Sequence, residues 1–543
     1  MAVDTHSRRA RLAACALLLL SLGSARADTA QDVLRLLEAA PTTPANLAPL
    51  CRTNMTVMLE RGGPTGKAPA LTELKGVRPR RTDSALLRLR SPCEDGAARM
   101  SPLFVDRSHR ASRAEAVAQC LYRVEVAAIN PVMLRTRFEA GDVVDITPNC
   151  GYREFDLDNP SALLRRGPFQ RYTPAKDARS TCPPSVGGSH VVSGRGQSQS
   201  LDGAQSWMME GEPLSINASV AWRAGATSTP VAVAIMDTGV QCTHEDLKGN
   251  MPEWFTAPPA GYGPSAPETG RHCAQGNGFD FVHLTPFPDG CDAGGRCLLH
   301  GTEVAGAAGA VAGNGIGIES VARRIPMVSL RVQTASGTAV ELDRLIRSMY
   351  YAAENGIGIL NMSFFHEKDY TEIHRALADI GTERYNGGRG VLIIAATTGG
   401  DDIDGEKNKT YPASYQLPNL LPVSALLDER TISSVSGVRR IDVDDDRVII
   451  GAPGSHICTT TQDGRRHYVM AGESSVSAGI VSGAAALVWG QPKFASCTAH
   501  QLRNILIRRA RELIIGGYTV PYLDLSFLAS EKEPGCDPSQ PKR

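Results

Sequence analysis

The chain has 543 residues, with 57 basic and 57 acidic side chains and a formal net charge of +0. That length exceeds what one hydrophobic core serves, so two domains plus extra segments are expected. The balanced charge gives no electrostatic reason for nucleic acid or an anionic membrane to be a main partner.

Arg8, Arg9 and Arg11 precede an apolar run from Leu12 to Leu22, and Ala25 and Ala27 offer small residues where a signal peptidase reads. Residues 1–27 therefore read as a cleaved secretory signal, with an apolar part too short to span a bilayer. The mature chain is expected to be secreted or periplasmic, with no transmembrane anchor. Of 13 cysteines, Cys15 leaves with the signal. The even remainder reads as disulfides whose pairing the sequence leaves open. Cys291 and Cys297 lie close to His300, and without a tight C-x-x-C pair a disulfide role is favoured there over a metal site.

Residues 28–185 carry no catalytic signature. Val33, Leu34, Leu36 and Leu37 give residues 30–40 helical spacing, and residues 121–129 alternate as a strand does. A smaller N-terminal α+β module follows, either a pro-domain or a permanent accessory domain. Residues 186–205 are rich in Gly and Ser and read as a flexible linker, the place where processing would cut.

From 206 to 530 the pattern alternates strands and helices, as in a parallel sheet covered on both faces. Strands are expected at 231–236, 327–332, 357–362, 391–396 and 421–426. Leu342, Leu345, Ile346 and Met349, and then Ile373, Ala376, Leu377 and Ile380, recur at amphipathic helix spacing between them. Thr498 and Gln501 form a capping-box pattern. The fold class is α/β, a doubly wound and mostly parallel sheet with its site at the carboxyl ends of the strands. Residues 531–543 form a polar tail, and Cys497 and Cys536 bracket the closing elements.

Three segments of this region carry chemistry. The strand at 231–236 runs into Asp237 and a turn, His300 precedes a small-residue helix, and Ser474 and Ser475 precede another. A serine at a helix start sees unpaired N–H groups and the positive end of the dipole, and both stabilise an oxyanion. A serine hydroxyl is a poor nucleophile until a base takes its proton. His300 is the candidate base, and Asp237 the group that fixes its tautomer and stabilises the imidazolium.

With acid, base and nucleophile in that order, the chain resembles the subtilases, the subtilisin-like serine peptidases. The helix expected near 213–222, the Tyr411-Pro412-Ala413 turn and the Ala452-Pro453-Gly454 loop match the family too. The resemblance implies an exported serine endopeptidase that works through an acyl-enzyme, takes polypeptide substrates and needs no cofactor for its chemistry. It also implies a zymogen whose own N-terminal segment inhibits it. Registering on Gly483, which matches a family glycine, makes Ser475 the nucleophile, with Ser474 at the family's threonine and Glu473 at its glycine. Registering on Gly472 would choose Ser474 but forces an insertion that rotates the helix face.

The resemblance places the substrate strand at Ser363, Phe364 and Phe365. Phe365 stands at a family glycine and either narrows a specificity pocket or packs into the core. Gly399 stands where the family has an asparagine that holds the oxyanion, with Thr397, Thr398 and Asp401 nearby. Loss of such a donor costs about 2.7 to 4 kcal/mol. Asp246 with Val311, Asn314, Ile316 and Ile318 resembles a calcium loop, its oxygen ligands suited to a hard cation. Gly399, Glu473 and Phe365 keep an alternative open, a catalytically weak or inactive subtilase-fold protein that binds peptides.

Overall fold

In the computed structural model the described residues are chiefly 203–212, 214–256, 273–290, 298–333, 342–366, 369–397, 409–428, 448–461, 468–515 and 518–530, with Cys182, residues 535–536 and three upstream strands. The chain forms two compact units. In the first, β1 (Ser84–Leu89) lies between β2 (Leu121–Glu125) and β3 (Val143–Pro148), antiparallel to both. The expected strand at 121–129 is thus present in its first half. The signal, the helix at 30–40 and the linker as far as residue 202 lie outside the described residues, while the last linker residues, 203–205, begin a short 3-10 helix, Gly203–Met208.

The second unit is built on one large sheet and takes in the helix at 342–354 only from Ser348 on. Its elements are α1 (Ala218–Arg223), β4 (Val233–Asp237), β5 (Gly278–Asp280), α2 (His300–Gly309), β6 (Met327–Arg331), α3 (Leu342–Glu354), β7 (Ile359–Met362), α4 (Thr371–Ile380), β8 (Leu392–Ala396), β9 (Leu420–Asp428), β10 (Thr431–Ile432), β11 (Ile450–Pro453), β12 (Ile457–Thr460), β13 (Tyr468–Ala471), α5 (Glu473–Trp489), α6 (Ala499–Arg508), β14 (Arg511–Ile515) and β15 (Tyr518–Tyr522). The sheet order is β14-β15-β11-β9-β8-β7-β4-β6-β5, with β10 beside β9. Pairing is parallel from β5 to β15, whereas β14 and β10 pair antiparallel at the margins.

Strands β4, β6, β7 and β8 are buried at every residue, and β8 and β4 up to Asp237 are continuous apolar runs, whereas β6 and β7 also bury Ser329, Arg331 and Asn361. The expected α/β class, its five parallel strands and both crossover helices are present, with ends shifted by a residue or two. The capping box of α6 forms in both directions: Gln501 N–H donates to the Thr498 hydroxyl at 3.2 Å, and Thr498 N–H to the Gln501 amide oxygen at 2.9 Å. One reading is corrected. The Ala452-Pro453-Gly454 segment, taken as a loop, lies largely in strand β11, with Pro453 as its last residue. The short β5 and the β12–β13 hairpin carry no period long enough to read.

Helix α5 is the buried spine, fully covered from Val476 to Trp489. Its glycines decide how it packs. A Cβ at Gly479 would collide with the Val304 carbonyl, and one at Gly483 with the Ala308 carbonyl. Gly479 and Gly483 are one turn apart on α5, as Val304 and Ala308 are on α2, so the two helices run parallel and start at the same end. Disulfides join Cys182 to Cys458, Cys242 to Cys273 and Cys497 to Cys536.

Candidate functional site

The carboxyl ends of three neighbouring parallel strands gather the chemistry-bearing residues. Asp237 ends β4, Ser363 follows β7 and Thr397 follows β8. The Asp237 side chain is fully buried, and its Oδ1 accepts the Thr238 N–H at 2.6 Å. His300, the first residue of α2, places Nδ1 2.8 Å from Oδ1 and 2.9 Å from Oδ2 of Asp237. A carboxylate only accepts, so Nδ1 carries the proton and Nε2 is left with its lone pair. Gly301 makes the close approach of α2 to β4 feasible, because a Cβ there would collide with the Gly239 carbonyl.

The two serines at the start of α5 differ in what holds them. Ser474 donates its hydroxyl to the Thr397 carbonyl in a short hydrogen bond. The Ser475 hydroxyl has its partner, the Ser363 carbonyl, at 3.5 Å, the outer limit of a hydrogen bond. Ser475 also shares a helix face with Gly479 and Gly483, the face packed on α2, while Ser474 is turned away from it. As the third residue of α5, Ser475 has an N–H without a partner four residues back in the helix.

A polar relay that the sequence does not advertise fixes this turn. The Ser363 hydroxyl has two acceptors for its one proton, the Ser475 carbonyl at 3.0 Å and the Asn361 amide oxygen at 3.1 Å, while the Asn361 amide donates to the Ser482 hydroxyl at 3.1 Å. Asn361 and Ser482 are fully buried. A buried Asn in an apolar strand is the signal that would have found it. On the same strand end, Phe364 is 2% exposed and belongs to the core, while Phe365 is half-buried. Gly399, Thr398 and Asp401 lie outside the described residues. The Thr397 hydroxyl donates to the Val423 carbonyl at 3.1 Å and is therefore committed elsewhere.

Behind the site, the residues resembling a calcium loop are brought together. Asp246 accepts from the Asn314 amide at 2.6 Å and from the Ile318 N–H at 2.8 Å. Its carbonyl accepts the Val311 N–H at 2.8 Å, and the Asn314 amide oxygen accepts the Ile316 N–H at 3.0 Å. Burial pushes the Asp246 carboxyl up to about 7, the Ile318 and Asn314 hydrogen bonds offset this in part, and Glu245 and Glu319 add to the rise. A buried carboxylate without a positive partner fits a hard cation as its missing countercharge. Among the described residues no group of three or more His, Cys, Asp or Glu side chains is disposed to hold a metal. An aspartate with amide and carbonyl oxygens is not such a group.

Comparison with known proteins accords with this geometry. A family model described as the subtilase family matches residues 228–532. An extracellular basic protease of Dichelobacter nodosus is 28% identical over 325 residues, covering 56% of this chain and 50% of that protein. A thermophilic serine proteinase of Bacillus sp. (strain AK1) is 27% identical over 300 residues, covering 55% and 60%. Subtilisin DY of Bacillus licheniformis is 26% identical over 304 residues, covering 56% and 91%. The chain thus spans 50% and 60% of the first two.

Proposed function

From the premise that the chain belongs to the subtilase family, we propose that it is an exported serine endopeptidase with Asp237, His300 and Ser475 as its catalytic triad. The observation that supports this reading is the α2–α5 register. Gly479 packs on Val304 and Gly483 on Ala308, and carrying that register back one turn pairs Ser475 with His300. Ser475 Oγ attacks the peptide carbonyl carbon while His300 Nε2 takes its proton, and Asp237 balances the imidazolium. The tetrahedral oxyanion is held by the Ser475 N–H at the helix start. Collapse expels the amine with the proton from His300, and water then releases the acyl group by the same route. Ser363 positions Ser475, and with Phe365 borders the substrate strand.

Gly399 supplies no side-chain donor, so turnover is expected to be about a hundred- to thousandfold below that of a site with an asparagine there. That glycine is also what favours the second reading, a subtilase scaffold that binds peptides without cleaving them. Turnover of an unstructured protein substrate separates the two. Wild type cleaves it and Ser475→Ala loses roughly a millionfold in kcat; equal, negligible rates for both support the binding protein.

Export rests on the signal-like residues 1–27 and agrees with three disulfides, which persist in oxidising compartments. Among the described residues no helix is long and apolar enough to cross a membrane. Residues 28–185 act as an inhibitory pro-segment. Because Cys182 lies before the linker and is bonded to Cys458, a cut within 186–205 leaves that segment covalently attached. Processed enzyme is expected to run as one band on a non-reducing gel and as two after reduction; release of the N-terminal fragment without reductant contradicts this. We also propose a structural calcium held by Asp246 with oxygens of Val311, Asn314, Ile316 and Ile318. It supplies countercharge and stability, and no catalytic step uses it.

A further inference from the structure

The first turn of α5 carries a carboxylate that the proposed chemistry leaves unused. Glu473 opens the helix two residues before Ser475, with φ at +69°. Glycine holds that left-handed conformation at little cost, whereas a residue with a side chain loses roughly 1 kcal/mol or more. The backbone there is fixed on both sides. Its N–H donates to the Gly454 carbonyl at 2.8 Å and its carbonyl accepts the Ser477 hydroxyl at 3.1 Å. Gly472, just before it, cannot take a side chain, since a Cβ would meet the Gly454 carbonyl at 2.7 Å. A strained, anchored turn therefore displays a glutamate where a cheaper residue is available.

The side chain itself is free to act. Glu473 is solvent exposed and makes no side-chain hydrogen bond or ion pair with the described residues. Surrounding protein nevertheless crowds its carboxyl and raises its pKa, while charge on His300 works in the opposite direction. An unpaired, solvent-exposed anion two residues before the proposed nucleophile is placed to meet a charged group on a substrate held at Ser475.

We propose that Glu473 is a specificity-determining carboxylate that selects substrates carrying a lysine or arginine side chain beside the scissile bond. The inference rests on the peptidase reading of the same site. A cationic side chain entering the cleft gains an ion pair that no other described group claims, and a neutral one leaves the carboxylate as it was. An ion pair of this exposure is worth about fivefold in selectivity, and salt weakens it.

Matched internally quenched peptides with lysine or norleucine at each position flanking the scissile bond provide the test, run on wild type, Glu473→Gln and Glu473→Gly. The glycine variant relieves the positive φ, so a loss of selectivity in it does not come from misfolding. The expected result is a lysine-to-norleucine ratio of kcat/KM about fivefold above unity in wild type, near unity in both variants, and falling towards unity in 1 M salt. The same ratio in all three proteins overturns the proposal and leaves the peptidase reading standing. Absence of both peptide cleavage and fluorophosphonate labelling in wild type overturns the peptidase reading, and this inference with it.

Discussion

Asp237 and Asp246 lie nine residues apart at and just beyond the end of one strand, both fully buried, yet the chain gives them different company. Asp237 accepts from the Thr238 N–H and from His300, a group able to become a cation. Asp246 has only neutral groups recorded as its hydrogen-bond donors, among them the Asn314 amide, the Ile318 N–H and the Tyr468 hydroxyl, and feels Glu245 and Glu319 besides. A buried carboxylate is costly unless a positive charge faces it. Asp237 has that charge built into the fold and serves chemistry. Asp246 must borrow one from solution and serves stability.

Removing the charge from each aspartate sharpens the contrast. Asp237→Asn is expected to lower kcat by roughly ten thousandfold, because the neutral amide fixes the wrong imidazole tautomer. KM and melting temperature should move little, and a loss under tenfold in peptide turnover would break the account of that residue.

Asp246→Asn should leave turnover near wild type and act on stability instead. Folding raises the Asp246 pKa from 3.8 to about 7, so the native state holds the proton more tightly than the unfolded chain. In chelator-treated wild type this contribution is therefore greatest below about pH 4 and is lost as pH rises through about 7, at roughly 1.4 kcal/mol for each pKa unit. The asparagine variant should lack that decline, and added calcium should raise the melting temperature of wild type alone. Identical melting curves for both proteins with and without calcium would contradict the assignment.

Much of the fold was legible because fully buried parallel strands are apolar runs and the crossover helices keep a clean helical period. Asp237 and His300 were legible for the same reason, each standing at the end of such an element. What lay beyond reading depends on packing between distant segments. The serine register needed the Gly479 and Gly483 contacts with α2, which sequence spacing suggests and only helix packing supports. The Asn361–Ser363–Ser482 relay joins β7 to α5 across more than a hundred residues, so Asn361 within its strand hints at a polar partner without naming it. Phe364 and Phe365 looked alike in sequence, and burial alone separates the core residue from the half-buried one. Strand β11 was hidden by its own Gly451 and Pro453, which read locally as a turn.

Covalent labelling of the intact protein with a fluorophosphonate, followed by peptide mapping, tests the pairing of Ser475 with His300 most directly. Wild type and Ser474→Ala should take the label at Ser475, while Ser475→Ala and His300→Ala should not react. Label on Ser474 that persists in Ser475→Ala, or a wild type that never reacts, would contradict the account.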